Sequence, residues 1–102
     1  MNGDGDIQVW LDSQKNAGQV IVVPYIKAAR ETQLHYRMKL IQTSTDGKSD
    51  ISQSGTVTVH PVTGAPLSRV VIRQNKEGEC RMEISLSSGE ETLGDFHFEC
   101  PR

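Results

Sequence analysis

Residues 80–100 read Cys80-Arg81-Met82-Glu83-Ile84-Ser85-Leu86-Ser87-Ser88-Gly89-Glu90-Glu91-Thr92-Leu93-Gly94-Asp95-Phe96-His97-Phe98-Glu99-Cys100. In the first half Cys80, Met82, Ile84 and Leu86 alternate with Arg81, Glu83, Ser85 and Ser87. In the second, Gly94, Phe96, Phe98 and Cys100 alternate with Asp95, His97 and Glu99. Successive side chains of a β-strand point to opposite faces, so each half is a strand with one apolar and one polar face. Ser88 to Glu91 supplies the turn. An antiparallel pairing with Leu86 opposite Gly94, Ile84 opposite Phe96 and Met82 opposite Phe98 puts every apolar residue of these alternating sets on one face. A slip of one residue sends one set to solvent. Leu93 falls outside the alternation and is expected near the turn.

The same register sets Cys80 opposite Cys100. Two cysteines facing each other on neighbouring strands meet the distances of a disulfide, especially at a non-hydrogen-bonded pair. The bridge closes a loop of roughly 20 residues, worth on the order of 3 kcal/mol of chain entropy. Two separate buried thiols, or a reactive or metal-binding pair, are the alternatives. A disulfide implies an oxidising compartment, periplasmic or secreted. The chain opens Met1-Asn2-Gly3-Asp4-Gly5-Asp6, without the basic start or apolar core of a signal peptide. It therefore reads as a cytosolic protein or as a mature exported domain whose leader gave way to a starting Met. The cysteines favour the second reading. Residues 1–5 are expected to be flexible.

Period two runs through the rest of the chain. Ile7, Val9 and Leu11 alternate with Gln8, Trp10 and Asp12, and a polar turn is expected from Asp12 to Gly18. Trp10 is then either a second-face core residue or a partly exposed binding aromatic. Val20 to Ile26 is apolar almost throughout, too continuous for one-face burial, so it reads as a central strand or one buried on both sides. Pro24 within it cannot donate to a ladder and predicts a bulge or an edge there. Leu34, Tyr36, Met38 and Leu40 oppose His35, Arg37, Lys39 and Ile41. Helix formers are common from Ala28 to Ile41, but strict alternation favours a strand. Thr43 to Gly55, with Asp46-Gly47, predicts a turn and then a weak strand or an irregular edge segment. Thr56 to His60 is a further strand, Pro61 to Pro66 a rigid loop, Leu67 to Arg73 a strand, and Asn75 to Gly78 a turn. The sum is one all-β domain over residues 1–102, a two-sheet sandwich of about seven antiparallel strands.

Composition excludes several roles. Thirteen acidic residues against 11 basic ones give a net charge of -2, and no Lys/Arg cluster offers the positive surface that nucleic acid requires. No stretch approaches the roughly 20 apolar residues of a membrane helix. His35, His60 and His97 lack metal-ligand spacing and fall on polar strand faces. There is no Cys-x-x-Cys, phosphate loop, calcium loop or paired-carboxylate motif. No catalytic, cofactor-binding or metal-binding residue is assigned, and the reading is of a protein that is not an enzyme.

The strand order resembles that of the small curli-assembly proteins of the CsgC/CsgH type, with the alphaproteobacterial CsgH branch the nearer. The segments that carry the resemblance are Thr56-Val57-Thr58-Val59-His60-Pro61 through Pro66-Leu67-Ser68-Arg69-Val70, Leu34 to Gln42, and the hairpin beginning near Cys80. The resemblance implies an immunoglobulin-like periplasmic domain, monomeric, that inhibits amyloid formation by the major curli subunit through transient contact. Enterobacterial members carry a Cys-x-Cys pair where this chain reads His35-Tyr36-Arg37, so a redox role is not carried over. A charged sheet face using Arg37, Lys39, Arg73 and Arg81 would attract acidic client segments. An edge strand offered for β-augmentation is the other physical route. Competing readings are a structural or adhesive sandwich module of a surface or pilus system, and a small periplasmic enzyme or enzyme inhibitor.

Overall fold

A computed structural model describes residues 7–44, 47–73 and 78–100, with the side chains of Ser44 and Arg73 left out. The expectation of a flexible start at residues 1–5 lies outside the described residues, as does most of the Asn75–Gly78 turn. Among the described residues eight strands follow one another: β1 (Gln8–Asn16), β2 (Gln19–Lys27), β3 (Thr32–Ser44), β4 (Gly47–Val59), β5 (Ala65–Pro66), β6 (Val70–Arg73), β7 (Glu79–Ser88) and β8 (Glu91–Glu99). They form two antiparallel sheets. In one, β2 pairs β1 along one side, and β6 and then β5 along the other. The second has the order β4-β3-β7-β8.

The inward rows of both sheets meet in one core. Val20, Val22, Ile26, Val70 and Ile72 of the first sheet pack with Leu34, Met38, Leu40, Met82, Ile84 and Leu86 of the second. In β3 and β7 these are the alternate residues that period two assigns to one face, whereas β2, apolar throughout, buries one face fully and leaves Ile21, Val23 and Tyr25 partly exposed. Removal of the inward rows from water drives the sheets together.

Departures from the sequence reading have local causes. β1 continues in register to Asn16 opposite Gln19, so the turn is only Ala17-Gly18, not the whole of Asp12 to Gly18. Both turn residues have positive φ, 51° and 83°, the conformation whose twist matches a two-residue hairpin. Residues 12–16 are polar because they form the exposed end of an edge strand. β4 is likewise one unbroken strand of 13 residues, so of the weak strand or irregular edge segment expected before Thr56 it is the strand that forms, continuous with Thr56 to Val59. β3 templates it pair by pair from Thr32↔Val59 to Ser44↔Gly47.

Pro24 sits where β2 changes partners. β6 pairs it as far as Val22 and β5 begins at Tyr25, while the Pro24 carbonyl accepts the Leu67 N–H at 2.8 Å. Its missing donor thus falls in the gap between two short strands. The strand expected from Leu67 therefore starts only at Val70, and the extra, two-residue β5 forms at the end of the stretch expected as a rigid loop.

The final hairpin has the expected register: Leu86↔Gly94, Ile84↔Phe96 and Met82↔Phe98. A shift follows between Leu86 and Ser87, where Ser87 pairs Thr92. Leu93 is the residue inserted by this bulge, and it packs with Phe96 and Phe98 against the core. Cys80 and Cys100 are joined, with Cα atoms 5.3 Å apart. The Cys100 N–H donates to the Cys80 carbonyl at 3.1 Å, so the bridge crosses a hydrogen-bonded pair rather than the non-hydrogen-bonded kind that most favours it.

Candidate interaction face

The outward row of β3 is Gln33, His35, Arg37, Lys39, Ile41 and Thr43, since Leu34, Met38 and Leu40 between them are buried. Cross-strand partners share a face, so pairing extends this row sideways. On β4 it meets Thr58, Thr56, Ser54, Ser52, Asp50 and Lys48. On β7 it meets Ser87, Ser85, Glu83, Arg81 and Glu79, and β8 adds Asp95, His97 and Glu99.

Three of the four basic residues singled out in the sequence therefore lie on one surface. Arg37 and Lys39 are consecutive outward positions of β3, and Arg81 lies one outward step further on β7, opposite Ile41. Arg73 is in the other sheet, paired with Gln19, and its side chain lies outside the described ones.

Charge on this surface is graded across the strands. Lys39 has Glu83 across on β7, and Glu83 also approaches His97 Nδ1 at 3.7 Å. Arg81 has Glu99 across on β8. The β7–β8 half thus sets carboxylates opposite its cations in register. On the β4 side, Arg37 faces Ser54 and Lys39 faces Ser52, so only hydroxyls separate these cations from the sheet edge. An open groove of about 410 Å³ crosses the sheet from β4 over β3 to β7 and Thr92 of β8, lined by His35, Arg37, Ser54, Thr56, Ser85 and Ser87 among others. His35 Nδ1 and Thr56 Oγ1 share a hydrogen bond of 3.2 Å across it.

The remaining histidine, His60, pairs with Glu31 at 3.0 Å, a solvent-exposed contact worth little to stability. Among the described residues no three His, Cys, Asp or Glu side chains gather closely enough to hold a metal ion. Trp10 is 39% exposed. It stands on the outward face of the other sheet, stacked on Tyr25 with ring centroids 5.9 Å apart, so it is not a core residue.

Sequence reasoning missed two features of the face. The Ser52-Ser54-Thr56-Thr58 row was not joined into one strand, although a hydroxyl at every second position was its signal. The carboxylates opposite Arg81 and Lys39 were the second: Glu99 opposite Arg81 follows from the hairpin register, whereas Glu83 opposite Lys39 depends on β7 being the neighbour of β3.

No protein-family model matches the sequence, and no curated protein matches it. Solved structures do. CsgH of R. palustris, determined in solution, superposes with a TM-score of 0.73 at 19% identity, covering 91% of each chain. The curli protein CsgC of E. coli superposes with a TM-score of 0.75 at 10% identity, covering 94% of this chain and 99% of its own. This chain has the fold of these two proteins, in agreement with the resemblance read from its strands.

Proposed function

We propose that this chain is a non-enzymatic, chaperone-like inhibitor of curli assembly, acting in the periplasm on the amyloid-forming major curli subunit. The observation that carries the reading is the two-sheet fold shared over nearly the whole chain with a curli protein and with CsgH. The Cys80–Cys100 bridge supports an oxidising compartment. Arg37, Lys39 and Arg81 on one exposed face supply an attraction for acidic client segments. Such an attraction speeds encounter and fixes orientation more than it adds affinity, which suits transient contact.

The test is fibrillation of the purified subunit, followed by dye fluorescence, with this chain added substoichiometrically. A lengthened lag is expected. Neutralising Arg37, Lys39 or Arg81 singly to Gln reduces potency roughly twofold to fivefold, as weak exposed charge pairs do. The triple variant loses more, and Arg73→Gln, from the other sheet, changes little. The effect fades as salt rises. No delay by the unaltered chain refutes the reading, and undiminished delay by the triple variant at low salt refutes the charge mechanism.

A further inference from the structure

The direction of every backbone group in the β4-β3-β7-β8 sheet follows from one hydrogen bond. In an antiparallel sheet the N–H and C=O of a residue point to the same neighbour, and successive residues point to opposite neighbours. Cys100 N–H donates to Cys80 C=O, so Cys80, Met82, Ile84 and Leu86 bond towards β8. Arg81, Glu83, Ser85 and Ser87 then bond towards Ile41, Lys39, Arg37 and His35 of β3, whose register is unbroken. Consequently Leu34, Tyr36, Met38 and Leu40 bond towards Val57, Gly55, Gln53 and Ile51 of β4. What remains pointing away from the sheet is the backbone of Ser52, Ser54, Thr56 and Thr58. These residues also carry the outward hydroxyls.

Natural edges are blunted by charge, proline, bulges or shortness. β8 has Glu91, Asp95 and Glu99, a bulge, and a disulfide at its end. β1 carries Asp12 and Lys15, and β5 and β6 are two and four residues long, with Pro66 in β5. β4 has none of these over residues 51–59. It is long, without proline, in continuous register, and charged only at Lys48 and Asp50 near its start.

We propose that the outward edge of β4 takes up an extended client segment as an added strand, with carboxylates of that segment meeting Arg37 and Lys39 across the serine row. The segment is polar on its outward side and belongs to the amyloid-forming subunit, so the proposal rests on the curli reading above. Charge complementarity selects it. A strand added beside β4 lies about 10 Å from β3, two strand spacings. Long Arg or Lys side chains bridge that separation when they meet an Asp or Glu over residues as short as Ser52 and Ser54. On their other side the same cations already have Glu83 and, beyond Ser85, Asp95.

The test compares Ser54→Pro with Ser54→Ala in the subunit fibrillation assay, and maps amide hydrogen exchange on the unaltered chain with and without the subunit. Proline removes an edge-directed N–H and leaves the β3 ladder its donors, whereas alanine removes only the hydroxyl. Ser54→Pro is expected to lose about tenfold or more in potency, and Ser54→Ala to stay within about twofold, as the loss of backbone pairing dictates. The amides of Ser52, Ser54, Thr56 and Thr58 gain protection in the mixture. If the proline variant fails to fold, the exchange map of the unaltered chain decides alone. A folded Ser54→Pro chain of full potency, or protection absent from those amides while fibrillation is still delayed, overturns the proposal and leaves the parent reading standing. A dimer of this chain that Ser54→Pro abolishes, with no client-dependent protection, assigns the edge to a second copy and overturns it as well.

Discussion

Replacing both bridge cysteines by alanine separates what the disulfide contributes from what the hairpin register contributes. The two residues are 20 apart in sequence. Chain-entropy bookkeeping for a loop of that size gives about 11 cal/mol/K, or about 3.3 kcal/mol at 25 °C. With a urea dependence of about 1–2 kcal/mol/M for a domain of this size, the unfolding midpoint should fall by roughly 1.5–3 M. The fold should survive, because Met82↔Phe98, Ile84↔Phe96 and Leu86↔Gly94 hold the register through apolar burial rather than through sulfur. Urea unfolding followed by Trp10 fluorescence and far-ultraviolet dichroism gives the shift. Reduction of the unaltered chain by a dithiol should reproduce it within about 1 kcal/mol, since little side-chain volume changes. A loss below about 1 kcal/mol would refute the entropic account. A chain without stable tertiary structure after reduction would refute the claim that the apolar rows alone specify the hairpin.

Three further outcomes follow from close contacts and backbone angles. A Cβ at Gly64 would lie 2.7 Å from the outer end of the exposed Trp10 ring, so the ring must move aside: Gly64→Ala should cost less than about 1 kcal/mol and shift the emission of the only tryptophan, read by fluorescence during denaturation. Tyr36→Phe removes the 2.7 Å hydrogen bond between the Tyr36 hydroxyl and Ser68 Oγ. It should cost about 1 kcal/mol, with the unfolding midpoint as the measurement. Ala17 holds φ at 51° before Gly18, so Ala17→Asn, which creates the Asn-Gly pair that such hairpin turns prefer, should raise stability by about 0.5–1 kcal/mol in the same assay.

Legibility in the sequence followed burial. Where one face of a strand is buried, a misplaced residue is costly and the alternation is strict, as in Leu34 to Leu40 and Cys80 to Leu86. Strand position, facing and even the cysteine partner could be read there. Where neither face is buried, no such penalty acts. Residues 12–16 and 47–54 resemble loops because the neighbouring strand, rather than their own side chains, holds them extended. Pro24 announced an irregularity, but its form depended on two short strands meeting over β2, a tertiary arrangement. For the candidate face, Arg37 and Lys39 were legible as outward positions of one strand. Arg81 joined them, and Arg73 did not, only because β7 is the neighbour of β3 while β6 pairs with β2. Strand order is a property of the whole chain, and alternation within a strand does not carry it.

The two edges of the β4-β3-β7-β8 sheet are built in opposite ways, and the difference bears on whether the proposed strand addition at β4 could lead to edge-to-edge growth of the chain itself. Edge-to-edge growth needs both an open ladder and an inward apolar row that buries itself when copies stack. β4 offers the ladder. Its inward row, however, runs Ile51, Gln53, Gly55, Val57, Val59, and only Val59 is buried. Ile51 is 43% exposed beyond the reach of the other sheet, while Gln53 and Gly55 give a second copy little apolar surface to cover. Backbone pairing at such an edge gains hydrogen bonds at the expense of water and little hydrophobic area, so it is weak for any partner that adds nothing else. A partner that brings carboxylates to Arg37 and Lys39 adds something else. Under the proposed strand addition the edge would discriminate by charge set back from the ladder, and its pairing would stay reversible because the core contributes nothing to it.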